Sequence, residues 1–180
     1  MSEDAILLEK IQSGDRNAFD TLVGKYQREL YFLALRMVKN QEDAEDLAQQ
    51  AFVKAFEKLD SFKGKSSFKT WLYQVAINLC RSFLRSRKPD TGFVEEMAAE
   101  EEDESAPLLR VLKNETAGLA ARAVSQLPEK QRIAVTLRIV HEMSYKEIGD
   151  AADCSEQTAK VNFHYGIENL RKKLRESGVL

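Results

Sequence analysis

Aromatic rings and lysines alternate between residues 62 and 73, as Phe62, Lys63, Lys65, Phe68, Lys69, Trp71 and Tyr73. Ser66 lies among them, and Asn78, Arg81 and Arg85 follow. The chemistry such a mixture supports is non-covalent. Cationic heads meet phosphates, and ring faces stack on unpaired bases at roughly 1–3 kcal/mol per base. Arg81 and Arg85 are four apart and share a helix face, suited to backbone phosphates. Asn78 is open to two readings. Its amide reads the Watson–Crick edge of a flipped base held by the 62–68 loop, or it is an ordinary exposed helical asparagine. Trp71 is equally a stacking platform or a core residue. Phe68, at a helix start, reads as core.

Covalent chemistry finds little support. There are two histidines, His141 and His164, and neither pairs with Cys, Asp or Glu at metal-ligand spacing. No glycine-rich phosphate loop occurs. The expectation is a non-enzyme with no metal and no cofactor. Cys80 and Cys154 form no CxxC pair and sit on apolar helix patterns, as small core groups in a reducing cytoplasm. Glu3, Asp4, Glu9 and Lys10 are unlike a signal peptide, and no apolar run approaches a membrane span.

The elements that must position these groups are helices. The chain has 180 residues, with 3 Pro and 8 Gly, and no period-two runs of Val and Ile. An all-α fold follows. Residues 4–12 suggest a short amphipathic helix broken at Gly14, with Asp15 or Asn17 capping the next. From 18 to 38, Phe19, Leu22, Val23, Tyr26, Leu30, Leu33, Ala34 and Met37 fall on a helical stripe that Asn40 ends. A third helix runs from about Asp43 to Leu59, buried through Ala44, Leu47, Ala48, Ala51, Phe52, Ala55, Phe56 and Leu59. A fourth, capped by Ser66 or Ser67, runs from Phe68 to about Ser86 through Leu72, Val75, Ala76, Leu79 and Phe83, and Pro89 stops it.

Charge then changes sign along the chain. Residues 1–88 carry a net +3, residues 89–118 a net −7 and residues 119–180 a net +2. The middle segment, with Glu100 to Glu104 in succession, reads as an acidic linker between two small helical domains. Helical patterning resumes after Pro107. Leu127-Pro128-Glu129 opens a helix with Pro at its first position, carrying Ile133, Ala134, Leu137 and Val140 and ending near residues 141–143. Ser144 and Glu147 form a capping box for a short helix from Tyr145 to Ala152, with Ile148, Ala151 and Ala152 inward. Asp153-Cys154 turns the chain, and Ser155 caps a longer helix buried through Ala159, Phe163, Ile167, Leu170 and Leu174. Short helix, tight turn, long helix is helix-turn-helix spacing.

Taken together, GDRNAFDTLVGKY, DAEDLAQQAFVKAFEKLDSFKGKSSFKTWLYQVAINLCRSFLRSR and LPEKQRIAVTLRIVHEMSYKEIGDAADCSEQTAKVNFHYGIENLRKKL resemble the extracytoplasmic-function sigma factors of bacterial RNA polymerase. The resemblance implies sigma region 2 in residues 1–88 and a region 4 helix-turn-helix in 119–180. It implies a transcription initiation factor that binds polymerase core through its clamp coiled coil and flap. Promoter DNA is the second partner, and an anti-sigma protein is an expected third. Clamp docking falls to Asp43, Glu45, Asp46, Gln49 and Gln50, although acids in a first helical turn also complement the helix dipole. Opening of the minus-ten element falls to Phe62, Lys63, Lys65, Ser66, Lys69, Tyr73, Asn78, Arg81 and Arg85. Reading of the minus-thirty-five element falls to Ser155, Glu156, Gln157, Thr158, Lys160, Val161 and His164. Two positions depart from the family pattern. Asp153 stands where glycine is frequent, and Asp tolerates the left-handed conformation. Asn162 stands where many relatives have arginine, so no DNA contact is carried over there. A plain repressor would leave the 42–88 stretch unused, and a protein-binding adaptor would need no DNA.

Overall fold

The computed structural model describes residues 2–87 and 122–176, and all regular secondary structure among them is helical. The chain divides into two compact units, Met1–Ser86 and Arg87–Leu180. Pro89, the acidic run and the pattern after Pro107 lie outside the described residues.

The first unit holds α1 (Glu3–Gln12), α2 (Asn17–Val38), α3 (Gln41–Glu57), a 3-10 turn (Leu59–Ser61) and α4 (Phe68–Arg87). Asp15 supplies the acceptor at the start of α2, taking the Asn17 N–H at 3.1 Å. The predicted α2 stripe is buried, with Val23 half-buried. Asn40 does not end α2. Lys39 closes it in the left-handed conformation (φ 62°), and Asn40 caps α3 by accepting the Asp43 N–H at 3.0 Å. Helix α3 therefore begins at Gln41, because an Asn oxygen serves an N-terminal orphan amide better than it serves a helix end. Phe56, expected inside, is 43% exposed.

Helix α4 is capped by Ser67, whose Oγ accepts the Thr70 N–H at 3.1 Å. Its core face differs from the expected one. Phe68, Leu72, Tyr73, Ala76, Ile77 and Cys80 are buried, whereas Val75, Leu79 and Phe83 are half-buried. The helix is turned toward Tyr73 because α2 offers that hydroxyl a carboxylate. Tyr73 Oη donates to Glu29 Oε2, and Lys69 Nζ lies 3.2 Å from the same oxygen. On α1, Asp4 accepts from Tyr26 Oη at 2.6 Å and pairs with Lys25 at 2.6 Å.

These two tyrosines give a pH prediction. Burial first, then the hydrogen bond to a carboxylate, pushes both phenols above the ordinary tyrosine range. Above pH ~10 the unfolded chain loses these protons while the folded one keeps them, so folding stability falls as pH rises. Denaturant titration between pH 8 and 11 should show this slope, and Tyr73→Phe should flatten it. An unchanged slope in that variant would remove Tyr73 as its cause.

The second unit holds α5 (Glu129–Ile139), α6 (Tyr145–Ala152) and α7 (Glu156–Glu176), preceded by helical residues 122–125. Pro128 takes the cap position of α5 rather than its first helical one. Helix α5 ends at Ile139, so Val140 falls outside it and is 43% exposed. Arg132 is buried and donates to the carbonyls of Ser125 and Leu127 at 3.0 and 3.3 Å, which satisfies the preceding helical end. The predicted α7 stripe is buried throughout, with Gly166 where α5 crosses closely.

Candidate docking and nucleic-acid surfaces

Helix α3 presents one side to α2 and leaves the other open. At about 100° per residue, Asp46, Gln49, Val53 and Phe56 fall along one outward stripe. All four are exposed, Val53 at 57%. Phe56 rests an edge against Phe19, ring centres 4.9 Å apart. Glu45 flanks the stripe on one side, and Asp43 and Gln50 on the other. Val53 is absent from the sequence-based site, and Phe56 is expected inside. Their signal is the continuation of the Asp46, Gln49 spacing by helical steps into apolar residues. Between α3 and α4 lies a groove of about 240 Å³. Leu47, Leu79 and Phe83 give it apolar lining, and Asp43, Asp46, Gln50, Ser82 and Ser86 give it polar lining.

The 62–67 loop turns at Gly64, whose φ of +66° suits glycine. Exposed Lys63 and Lys65 flank it, and Ser66 is half-buried. Phe62 folds back onto α4, with its ring centre 5.1 Å from Trp71 and 6.1 Å from Phe68. Phe68 is core, as expected, while Trp71 is half-buried and on the outward side. Trp71, Asn78 and Arg85 follow each other at seven-residue intervals along that side, with Arg81 on its flank. Asn78 stands about 10 Å beyond Trp71 along the helix axis. That distance suits different nucleotides for the loop and for Asn78, rather than one base shared between them.

Two sequence candidates leave this surface. Tyr73 is fully buried, so it cannot touch a strand. Lys69 lies on the α2 side of α4, paired with Glu29 and 5.7 Å over the Tyr73 ring. Both are diverted by Glu29, a residue distant in sequence.

In the second unit the capping box is complete. Ser144 Oγ accepts the Glu147 N–H at 3.3 Å, and Glu147 Oε2 accepts the Ser144 N–H at 2.8 Å. Asp153 adopts the left-handed conformation (φ 57°, ψ 53°) expected of it. Gly149 lets the turn close, since a Cβ there would sit 2.8 Å from the Cys154 carbonyl oxygen. Ser155 Oγ accepts the Thr158 N–H at 3.0 Å, and the two hydroxyls are 2.8 Å apart. Ser155, Glu156 and Gln157 are exposed at the start of α7, and Thr158, Lys160, Val161 and His164 are half-buried behind them. Asn162 donates back to the Thr158 carbonyl at 2.8 Å. Arg138, which spacing did not single out, lies 4.9 Å over the Tyr145 ring at the start of α6. That neighbourhood is created by the α5–α6 turn and has no sequence periodicity.

Among the described residues no group of His, Cys, Asp or Glu could hold a metal ion, and no helix is long and apolar enough to cross a membrane. The family model described as Sigma-70 region 2 matches residues 22–89, and Sigma-70, region 4 matches residues 118–170. The chain is similar to the RNA polymerase sigma-H factor of Pseudomonas aeruginosa, 37% identical over 96% of this chain and 94% of that one. It is 34% identical to the ECF RNA polymerase sigma-E factor of Escherichia coli, again over 96% and 94%. CnrH, solved in complex with the cytosolic domain of CnrY, shares the fold at TM-score 0.74 and 22% identity, covering 97% of this chain and 99% of that one. The sigma factor RpoE of Bartonella quintana, solved with the anti-sigma factor NepR, does so at 0.68 and 24%, covering 87% and 96%.

Proposed function

The chain belongs to the extracytoplasmic-function sigma factors of bacterial RNA polymerase, and from that premise we propose how its surfaces divide the work. A sigma factor directs polymerase to promoters through regions 2 and 4 and is itself non-catalytic. Core enzyme docks on the outward α3 stripe. Asp46 and Gln49 supply acceptors and amides there, and Val53 and Phe56 the apolar centre that hot spots need. The minus-ten strand lies along the outer side of α4. Lys63, Lys65, Arg81 and Arg85 meet its phosphates, the Phe62–Trp71 pair offers a ring face, and Asn78 reads a base edge. Helix α7 enters the major groove at the minus-thirty-five element. Gln157 and Lys160 read bases, Ser155 and Thr158 hold phosphates, and Glu156, Val161 and His164 border the contact.

The observation that carries this reading is the separation of two faces on one compact unit. The acidic and apolar stripe of α3 and the basic and aromatic side of α4 are distinct surfaces, one fit for protein and the other for nucleic acid. The work is done in the cytoplasm, beside the polymerase. An anti-sigma protein, such as the one RpoE was solved with, restrains the factor by covering these same surfaces.

Mixing the chain with sigma-free polymerase core on a genomic promoter library tests the assignment, with promoter-dependent initiation as the expected result. Duplex binding without core, and no initiation, would instead indicate a repressor. Within that assay, Lys63→Ala/Lys65→Ala and Asn78→Ala should each slow open-complex formation about tenfold or more while core affinity is kept, since each interaction is worth roughly 1–3 kcal/mol. The double lysine variant should also flatten the salt dependence of strand binding, by ~0.7 in log–log slope for each phosphate no longer neutralised. Equal loss of core affinity would show that the two faces have been exchanged.

A further inference from the structure

A line of contacts runs from helix α1 to the 62–67 loop. Helix α1 buries one side chain, Leu7, and grips α2 through the carboxylates of Glu3 and Asp4. The two oxygens of Asp4 have different partners. Oδ1 accepts from Lys25 Nζ at 2.6 Å, which Glu3 also meets at 2.8 Å, and Oδ2 accepts from Tyr26 Oη at 2.6 Å. Lys25 is at the surface, where ion pairs contribute little. Tyr26 is 4% exposed, and a buried hydroxyl left without a partner is costly, so Asp4 fixes where that ring sits. The Tyr26 ring lies 6.1 Å from that of Phe68, the first residue of α4. Phe68 in turn meets Phe62 at 6.1 Å and Trp71 at 5.9 Å, and those two lie 5.1 Å from each other. All of these spacings fall in the range of favourable ring pairs. Phe62 is the residue from which the loop bearing Lys63 and Lys65 departs. A shift of the Phe68 ring is therefore passed on to the loop, because close-packed side chains transmit displacement rather than absorb it.

We propose that Asp4 is a positioning residue for promoter opening. By holding the Tyr26 hydroxyl it sets the Phe68 ring, and through that ring the Phe62–Trp71 face and the loop lysines that meet the strand. The proposal rests on the assignment of the minus-ten strand to this loop and to the outer side of α4. Asp4 acts through the rings and touches no DNA itself. An Asp4 that only pins α1 to α2, or complements the dipole of α1 as a first-turn acid, has a different signature. Loss of the lysine partner would then matter as much as loss of the tyrosine hydroxyl, and the loop would be left alone.

Three variants separate the two roles. Asp4→Ala removes both contacts, Tyr26→Phe removes the hydroxyl and keeps the ring, and Lys25→Met removes the ion pair and keeps the acceptor for Tyr26. Holoenzyme assembled from polymerase core and the full chain of each variant is titrated with a labelled non-template strand from a promoter recovered in the library assay. Asp4→Ala and Tyr26→Phe should each bind the strand about tenfold more weakly, the scale of one lost base stack. Lys25→Met should stay within about twofold of the parent, as for an exposed ion pair, and core affinity should be kept in all three. Trp71, the only tryptophan, reads the rings directly. Its emission in the folded free chain should shift in Asp4→Ala and Tyr26→Phe but not in Lys25→Met. Equal strand loss in Lys25→Met would reduce Asp4 to an anchor for α1 and overturn the proposal, as would strand loss with Trp71 emission unmoved. If Lys63→Ala/Lys65→Ala weakens strand binding while Asp4→Ala and Tyr26→Phe do not, the proposal falls alone. If the lysine variant has no effect, the strand assignment is wrong and the role of Asp4 goes with it.

Discussion

Val53→Asp is expected to weaken binding to polymerase core by thirtyfold or more and to leave the fold intact. Val53 is 57% exposed at the middle of the outward α3 stripe, between Gln49 and Phe56. In the free chain the new carboxylate is solvated, so stability should change by no more than about 0.5 kcal/mol. Under the proposed docking on this stripe, the same group would be buried in the complex. Truncation of a central anchor alone costs about 2 kcal/mol or more, and an unpaired buried charge adds to it. Trp71 is the only tryptophan and lies in the first unit, so its fluorescence reports that unit's unfolding. An unchanged melt together with unchanged core affinity would place the docking surface elsewhere.

Gly149→Ala should damage the second unit by about 2 kcal/mol, through backbone rather than side-chain collision. The added Cβ would lie 2.8 Å from the Cys154 carbonyl oxygen and 3.2 Å from the Glu156 nitrogen. Neither atom can swing away as a side-chain tip can. The turn must open, and overpacking of this kind costs about 1–3 kcal/mol, more than the ~1 kcal/mol of helix propensity that alanine gains over glycine. For a unit of this size the melting temperature should fall by about 10 °C. Gly24 is the matching control. Nothing lies within 4 Å of a Cβ there, so Gly24→Ala should stabilise the chain by up to about 1 kcal/mol. Circular dichroism should record the early melt of Gly149→Ala, and Trp71 fluorescence should not. Binding to a minus-thirty-five duplex should weaken as the α6–α7 angle changes. An unshifted melt would mean that the turn yields at no cost.

The helix-turn-helix was legible almost residue by residue because its determinants are local. Ser144 and Glu147 are three apart, Ser155 and Thr158 are three apart, and Asp153 sets its own φ. Each of these groups meets its partner whatever the rest of the chain does. Helix α4 was legible as a helix but not in its phase. Its apolar residues nearly encircle it, so the sequence permits several buried faces. The choice is made by Glu29, 44 residues before Tyr73, which satisfies the phenol and captures Lys69. That pairing removed two candidates from the proposed strand-binding surface. It also left Trp71 on the outward side, in line with Asn78.

Composition, caps and spacing by themselves determined an all-α chain and its helix-turn-helix, because in both a residue's neighbours three or four positions away fix its role. The family, with its regions 2 and 4, was legible through the resemblance of longer motifs to known sigma factors. Tertiary structure alone decided which side of α3 and α4 faces outward. It exposed Val53 and Phe56, buried Tyr73, paired Lys69 and opened the groove lined by Leu79 and Phe83. A side chain faces solvent or core according to what the other helices bring to it, and that is a property of packing, not of spacing.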